Sequence, residues 1–336
     1  MSLLYFESFD AQYELGTLYR WTYNSNFFIV PSGRRGSNCL SVNNCYQYVH
    51  YNIGTNESAL VIGFAVYPTS GTAGTTFLRI YNTAIELQFV VDCTAAGRVR
   101  VKTAADGSVL AQSADGAITF NIYQYFEIKF TCDGTDTVQV RVDGVDVIAS
   151  TSGLNLRQSG SGGAGGIQFT SLTLGTTHFD DLYILNQSGA QYNNFLGDVK
   201  VDAFLPTGDG NYQQFTSTRS TQYDAINDNG NTAITYYIEE DTVGQKDSFT
   251  ITPTGDLPTI HAISIRSISR NSDTGIAEGT PFIRVGGVDY DQTPFERGDT
   301  LEYDDAILTA RPDTAGVWTK AALEAMEFGF EFSAAS

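Results

Sequence analysis

The sequence predicts a mainly β protein made of two β-sandwich domains, and three observations carry that prediction. Apolar and polar residues alternate with the two-residue strand period in many short segments, as in Phe126-Glu127-Ile128-Lys129-Phe130 and Val138-Gln139-Val140-Arg141-Val142. Gly-bearing turns such as Asp133-Gly134-Thr135-Asp136 and Asp143-Gly144 separate these segments, placing Gly where a left-handed backbone is needed. The composition, with 33 Gly, 19 Tyr and 21 Phe in 336 residues, favours strands and tight turns over helices. A chain of this length, 42% apolar and 17% charged, can fill two cores, and a single core of short strands rarely grows so large.

The first domain opens with Phe6-Glu7-Ser8-Phe9-Asp10, Tyr19-Arg20-Trp21-Thr22 and the turn and strand Gly33 to Val42, where aromatic anchors alternate with Gly turns. Ala59 to Tyr67 is a nearly continuous apolar strand ended by Pro68, and Thr76 to Tyr81 is a second; both suit the middle of a sheet. Ile85 to Val91 and Val99 to Lys102 add short strands, with Gly97, Asp106-Gly107 and Asp115-Gly116 as turns. Phe126 to Phe130, Val138 to Val142 and Val145 to Val147 form a meander. Ser159 to Gly166 reads as a flexible loop inside the domain, because strand-like residues resume at Ile167-Gln168-Phe169 and lead into a closing strand, His178 to Leu185.

Asn186 to Asn194 is polar and turn-forming, and sets the expected boundary, with domains at 1–190 and 191–336. In the second domain, Gly197 to Pro206, Ala233 to Ile238, Asp247 to Thr252, Thr259 to Ser269, Thr280 to Val285 and Leu301 to Tyr303 read as strands. Trp318 to Met326 has helical character, with Thr319 as N-cap, before a last strand from Glu327 to Phe332.

The charge of −19 is spread along the chain without a basic stripe, which argues against a nucleic-acid partner. No positive-then-apolar start and no apolar run of about 20 residues is present, so neither a signal peptide nor membrane insertion is expected. Cys39, Cys45, Cys93 and Cys132 form no CxxC pair; free buried thiols are expected, with Cys39–Cys45 or Cys93–Cys132 as the disulfides that would otherwise form.

Phe6 to Asp10, Gly33 to Leu40, Phe126 to Val147 and Phe179 to Ile184 together resemble the concanavalin A-like, laminin-G-like jelly roll over about the first 190 residues. That architecture hosts lectins, hydrolases, adhesion modules and structural proteins, so it does not choose a function. Phe195 to Val201, Phe204-Leu205-Pro206, Trp318-Thr319 and Glu327 to Glu331 resemble a group of tailed-bacteriophage virion proteins that join such a sandwich to a second β-domain. The resemblance implies a non-enzymatic structural component of the virion exterior (tail, fibre or capsid decoration) made in the host cytoplasm. Its partners would be other virion proteins and copies of itself, with a trimer as the single guess. Tyr46, Tyr48, Tyr51, Phe27 and Phe28 are candidate interface anchors, set against ordinary core and rim packing.

The alternative is a glycan- or receptor-binding, lectin-like adhesion module, since Tyr, Asn, Asp and Gly suited to sugar sites are plentiful although no site stands out. A glycoside hydrolase ranks below both. Glu302-Tyr303-Asp304 begins a suitable acid pattern that Ala306 and Ile307 break, and Glu239-Glu240-Asp241 runs into Thr242-Val243-Gly244. His178 and Asp180 share a strand face and could form a dyad, but a strand-edge hydrogen bond or solvent-facing pair is the preferred reading. Asp133 with Asp136, or Asp180 with Asp181, could contribute calcium ligands, although turn chemistry explains such acids more simply. The residues therefore designate no catalytic, cofactor-binding or metal site, and no cofactor.

Overall fold

The computed structural model describes residues 3–10, 21–24, 27–43, 47–69, 75–157, 162–171, 175–227 and 235–335. The chain divides into two compact units, Met1–Asp202 and Ala203–Ser336. The protein is mainly β, with antiparallel sheets throughout.

Unit 1 contains β1 (Leu3–Glu7), β2 (Trp21–Asn24), β3 (Phe27–Val30), β4 (Cys39–Asn43), β5 (Gln47–Glu57), β6 (Ala59–Pro68), β7 (Thr75–Tyr81) and β8 (Leu87–Cys93). It continues with β9 (Val99–Thr103), β10 (Val109–Gln112), β11 (Gln124–Thr131), β12 (Thr137–Val142), β13 (Val145–Ser152), β14 (Ala164–Ser171) and β15 (Thr176–Asn186). One sheet runs β13-β12-β11-β6-β15-β4-β3, with β1 also paired to β15; the other runs β10-β9-β8-β7-β14-β5-β2. This is a jelly-roll sandwich, and the predicted meander is β11-β12-β13.

The strand period explains the core between the sheets. Leu60, Ile62, Phe64 and Val66 of β6 face Leu78, Ile80, Ile167 and Phe169 across it, all essentially inaccessible to solvent. Phe64 touches Phe77, Phe126, Phe169 and Phe179 with ring centroids 5.0–6.4 Å apart. Each such ring, fully buried, stabilises the fold by roughly 1.5–3 kcal/mol.

The closing strand β15 pairs with β6 along one edge. Its other edge is shared end to end, with β4 opposite Thr176–Phe179 and β1 opposite Leu182–Leu185. Where those partners change over, the β15–β6 register slips between Asp180 and Tyr183, and Asp181 takes φ 50°. The slip marks a β-bulge at Asp180 and Asp181.

Residues 191–202, which follow the expected boundary at 190/191, cluster with unit 1. They cover the side of the eight-stranded sheet that faces away from the core. Leu196 N donates to the Tyr183 hydroxyl, Gly197 N to Glu127 Oε1 and Val201 N to Asp181 Oδ1, at 3.2, 2.9 and 2.8 Å. Gly197 to Pro206 is accordingly not a strand, because those backbone donors meet side chains and not a neighbouring ladder.

Unit 2 contains β16 (Gly208–Gln213), β17 (Thr216–Ser217), α1 (Gln222–Ile226), β18 (Ile238–Glu239), β19 (Lys246–Thr250), β20 (Ile263–Ser269) and β21 (Ala277–Val285). β22 (Val288–Asp291), β23 (Phe295–Arg297), β24 (Glu302–Leu308), α2 (Lys320–Glu324) and β25 (Met326–Ala335) complete it. Its main sheet runs β16-β19-β25-β21-β22, with β23 also on β21, and β20-β24 forms a separate ribbon. Ile283 and Met326 of the sheet, Ile265 and Leu308 of the ribbon, and Trp318 and Leu323 around α2 make its core. The predicted cap is present: Thr319 Oγ1 accepts from Ala322 N, satisfying a donor that the helix leaves free. The five-residue α1, capped by Thr221, was not expected. The predicted strand Ala233 to Ile238 lies partly outside the described residues.

Candidate functional site

On the seven-stranded sheet of unit 1, the side turned away from the core is polar. Three strands place a polar residue between two core residues: His50 between Val49 and Tyr51, Arg79 between Leu78 and Ile80, and Gln168 between Ile167 and Phe169. Strand alternation therefore sends all three to the outward face. The ladder register then aligns them, because Gln168 lies opposite Arg79 on one side and opposite His50 on the other. The row extends through Val90 and Lys102 at one end and Thr22 at the other.

These side chains hold one another. Gln168 Oε1 accepts from Arg79 Nη1 at 3.0 Å and from the Tyr81 hydroxyl at 3.2 Å. Gln168 is 5% exposed and His50 7%, unusually deep burial for side chains on the outer face of a sheet. The His50 ring packs edge-on to Tyr81, with centroids 5.3 Å apart. Gly166, opposite Tyr81 in the ladder, makes room: a Cβ there would stand 2.7 Å from His50 Cε1 and Nε2. His50 Nδ1 is buried with no hydrogen-bond partner among the described residues, and burial lowers the pKa of the ring, which keeps it neutral at pH 7.

The neighbouring row adds charge. Asp92, 1% exposed, receives a two-point contact from Arg100, with both N···O distances 2.7 Å, and Lys102 stands 3.4 Å away. Arg79 makes no ion pair among the described residues. Such a surface can offer hydrogen-bond donors, a guanidinium and a neutral imidazole to a ligand lying along the row.

The sequence-derived candidates are placed differently. His178 and Asp180 do not form a dyad: His178 Nδ1 lies 3.2 Å from Ser32 Oγ, and its ring sits against Tyr67. Asp180 accepts instead from Arg34 N, Ser37 Oγ and Asp181 N. Burial raises Asp180 to about 8 and Asp181 to about 6, with the Arg34 and Arg35 charges opposing the rise at Asp181. Asp136 accepts from four backbone amides: those of Asp133 and Gly134 lie in its own turn, and those of Leu156 and Arg157 tie that turn to a distant segment. No group of three or more His, Cys, Asp or Glu arranged to hold a metal ion occurs among the described residues.

Of the acids weighed for glycoside hydrolysis, Glu302 and Asp304 both contact Arg297, while Glu240 accepts from the backbone amides of Asp241 and Thr242. Cys39, Cys93 and Cys132 are buried free thiols, and burial raises Cys93 to about 12 and Cys132 to about 11. Cys45 lies outside the described residues. Phe27 and Tyr51 belong to the core, Phe28 is half exposed, and Tyr46 is outside the described residues.

No protein-family model matches the sequence, and no curated protein sequence does. Solved structures similar in fold include the cellulose-induced protein Cip1, at 14% identity and TM-score 0.45, covering 58% of this chain and all of that one. A sialidase matches at 12% identity and TM-score 0.42, over 56% of this chain and 19% of that one. A Bacillus subtilis protein with a galectin-like fold matches at 10% identity and TM-score 0.40, over 55% and 96% of the two chains. With TM-scores below 0.5, none of these likenesses bears on what the chain does.

Sequence reasoning missed the His50, Arg79, Tyr81 and Gln168 cluster. Its signal was present as the three apolar-polar-apolar triplets, but nothing local announces which strands become neighbours.

Proposed function

We propose that unit 1 binds a saccharide on the outward face of its seven-stranded sheet. The observation that carries this reading is the row Arg79, Gln168 and His50, buried and mutually braced, with one ring nitrogen left unmatched. Braced polar groups lose little freedom when a ligand engages them, and a hydroxyl-rich chain supplies both donors and acceptors to such a row. The interior gap bounded by Val66, Phe77, Cys93 and Ile118 is apolar and holds about 10 Å³, roughly one water, so it offers no competing ligand site.

Glycan-array screening of the full chain followed by calorimetric titration tests the proposal. Gln168→Ala should weaken any saccharide hit by about tenfold or more, while Val145→Asp on the other sheet should not. Hits that ignore Gln168→Ala would defeat the assignment to this face.

Assembly into a virion exterior is the second reading. The edge strands β13 and β22 present Val145 and Val288, 65% and 53% exposed, where a neighbouring subunit could add its own strand. Native mass spectrometry of the chain and antibody labelling of particles test it. A monomer that labels no particle would remove this reading and leave the first intact.

A further inference from the structure

We infer that the saccharide taken by this face is acidic, carrying uronate carboxylates, an inference that rests on the saccharide-binding reading. The chain is strongly acidic, with 38 Asp and Glu against 19 Lys and Arg. The two ladder rows of the candidate face invert that balance. They hold Arg79, Arg100 and Lys102 against one carboxylate, Asp92. Asp92 serves two of these cations at once, so the rows keep an excess of positive charge inside a negative molecule. Such a local reversal draws an anion to the face and repels it elsewhere.

Geometry selects a carboxylate. Gln168 Oε1 accepts from Arg79 Nη1, and the other guanidinium nitrogens have no partner among the described residues. A planar guanidinium offered edge-on matches the two oxygens of a carboxylate. His50 stands two strands from Arg79, about 10 Å by strand spacing, with Gln168 midway. This gives a row on which an acid group sits at one end while sugar hydroxyls reach Gln168 and the imidazole. His50, which burial keeps neutral, adds no charge of its own and acts as a hydrogen-bonding group.

The test uses oligogalacturonate, oligomannuronate and oligoglucuronate, each titrated into the full chain beside its methyl ester, which is the same sugar with the charge removed. The expected result is that at least one free acid binds about tenfold or more tighter than its ester at low salt, with the gap narrowing as salt rises. Arg79→Gln should erase that preference and Arg79→Lys should keep part of it. Should Arg79→Gln fail to fold, as judged by circular dichroism and melting, Lys102→Gln serves as the second variant and should narrow the gap. Equal binding of acid and ester, or binding of neutral sugars alone, overturns the charge inference and leaves the saccharide reading standing. Absence of binding by every acid, ester and neutral glycan overturns both.

Discussion

The imidazole of His50 meets the phenol ring of Tyr81 edge-on, at 5.3 Å and 75°, over the bare backbone of Gly166. The contact exists because one residue of β14 has no side chain. A Cβ at position 166 would fall 2.7 Å from two atoms of the His50 ring and 3.1 Å from the Tyr51 carbonyl oxygen. Gly166 has an ordinary negative φ, so the constraint is space and not backbone conformation. Gly166→Ala should displace His50 and cost about 1–3 kcal/mol, as overpacking does. Denaturant unfolding would give the cost. Loss of saccharide binding beyond that expected from unfolding would show that the ring position matters to the face.

Gln168→Glu separates stability from recognition. The substituted carboxylate would still accept from Arg79 and Tyr81, and more strongly, so the melting temperature should hold or rise. The same charge would neutralise Arg79, so a free uronate should bind about tenfold or more weakly, while a neutral saccharide should be little affected. A variant that binds uronates as the parent does would show that Arg79 does not meet the ligand.

The bulge aspartates make stability depend on pH with a definite sign. In the unfolded chain both ionise near pH 3.8, whereas burial raises Asp180 to about 8 and Asp181 to about 6. Between those values the folded state binds protons that the unfolded state has lost, so stability falls as pH rises. For Asp180 the slope is about 1.4 kcal/mol per pH unit up to about pH 8, and is flat above it. Comparing Asp180→Asn with the parent in chelated buffer isolates this group. The stability of the variant relative to the parent should increase from pH 6 to 8 and then level off. A difference independent of pH would mean that Asp180 ionises normally.

Strand positions were legible from local pattern, a nearly continuous apolar run in Ala59 to Tyr67 and alternation in Phe126 to Phe130, and both appear as strands, as does His178 to Leu185. What could not be read was pairing. Val49-His50-Tyr51, Leu78-Arg79-Ile80 and Ile167-Gln168-Phe169 each place one polar residue on an outer face, yet β5, β7 and β14 are brought together by strands far apart in sequence. Likewise, Asp180 and Asp181 read as alternating residues of a regular strand. The bulge that holds them arises where β15 exchanges β4 for β1, a tertiary event.

The expected domain boundary at 190/191 and the contact grouping of residues 191–202 with unit 1 differ for a related reason, and the difference supplies a sharp test. Asn186 to Asn194 has the polar, turn-forming composition of a linker, but composition does not reveal that the eight-stranded sheet carries polar groups on its far side that need partners. Glu127 and Asp181 are 1% and 3% exposed there, and both receive backbone amides from residues 197–201. The Tyr183 hydroxyl receives Leu196 N and donates to Glu127, and the Tyr183 ring fills the space left by Gly63, where a Cβ would lie 2.2 Å from the ring. Arg34 and Arg35 pair with Asp198, and Arg141 lies over the Phe195 ring at 4.4 Å. A chain cut after residue 190 removes all of these partners and uncovers buried acids. Losing three hydrogen bonds to buried groups, at about 1–3 kcal/mol each, should cost unit 1 at least about 3 kcal/mol relative to a chain cut after residue 202. At about 2–4 °C per kcal/mol for a domain of this size, the shorter chain should melt roughly 6–12 °C lower, if it folds at all. Differential scanning calorimetry of the two chains decides the matter, and equal melting temperatures would return the boundary to residue 190.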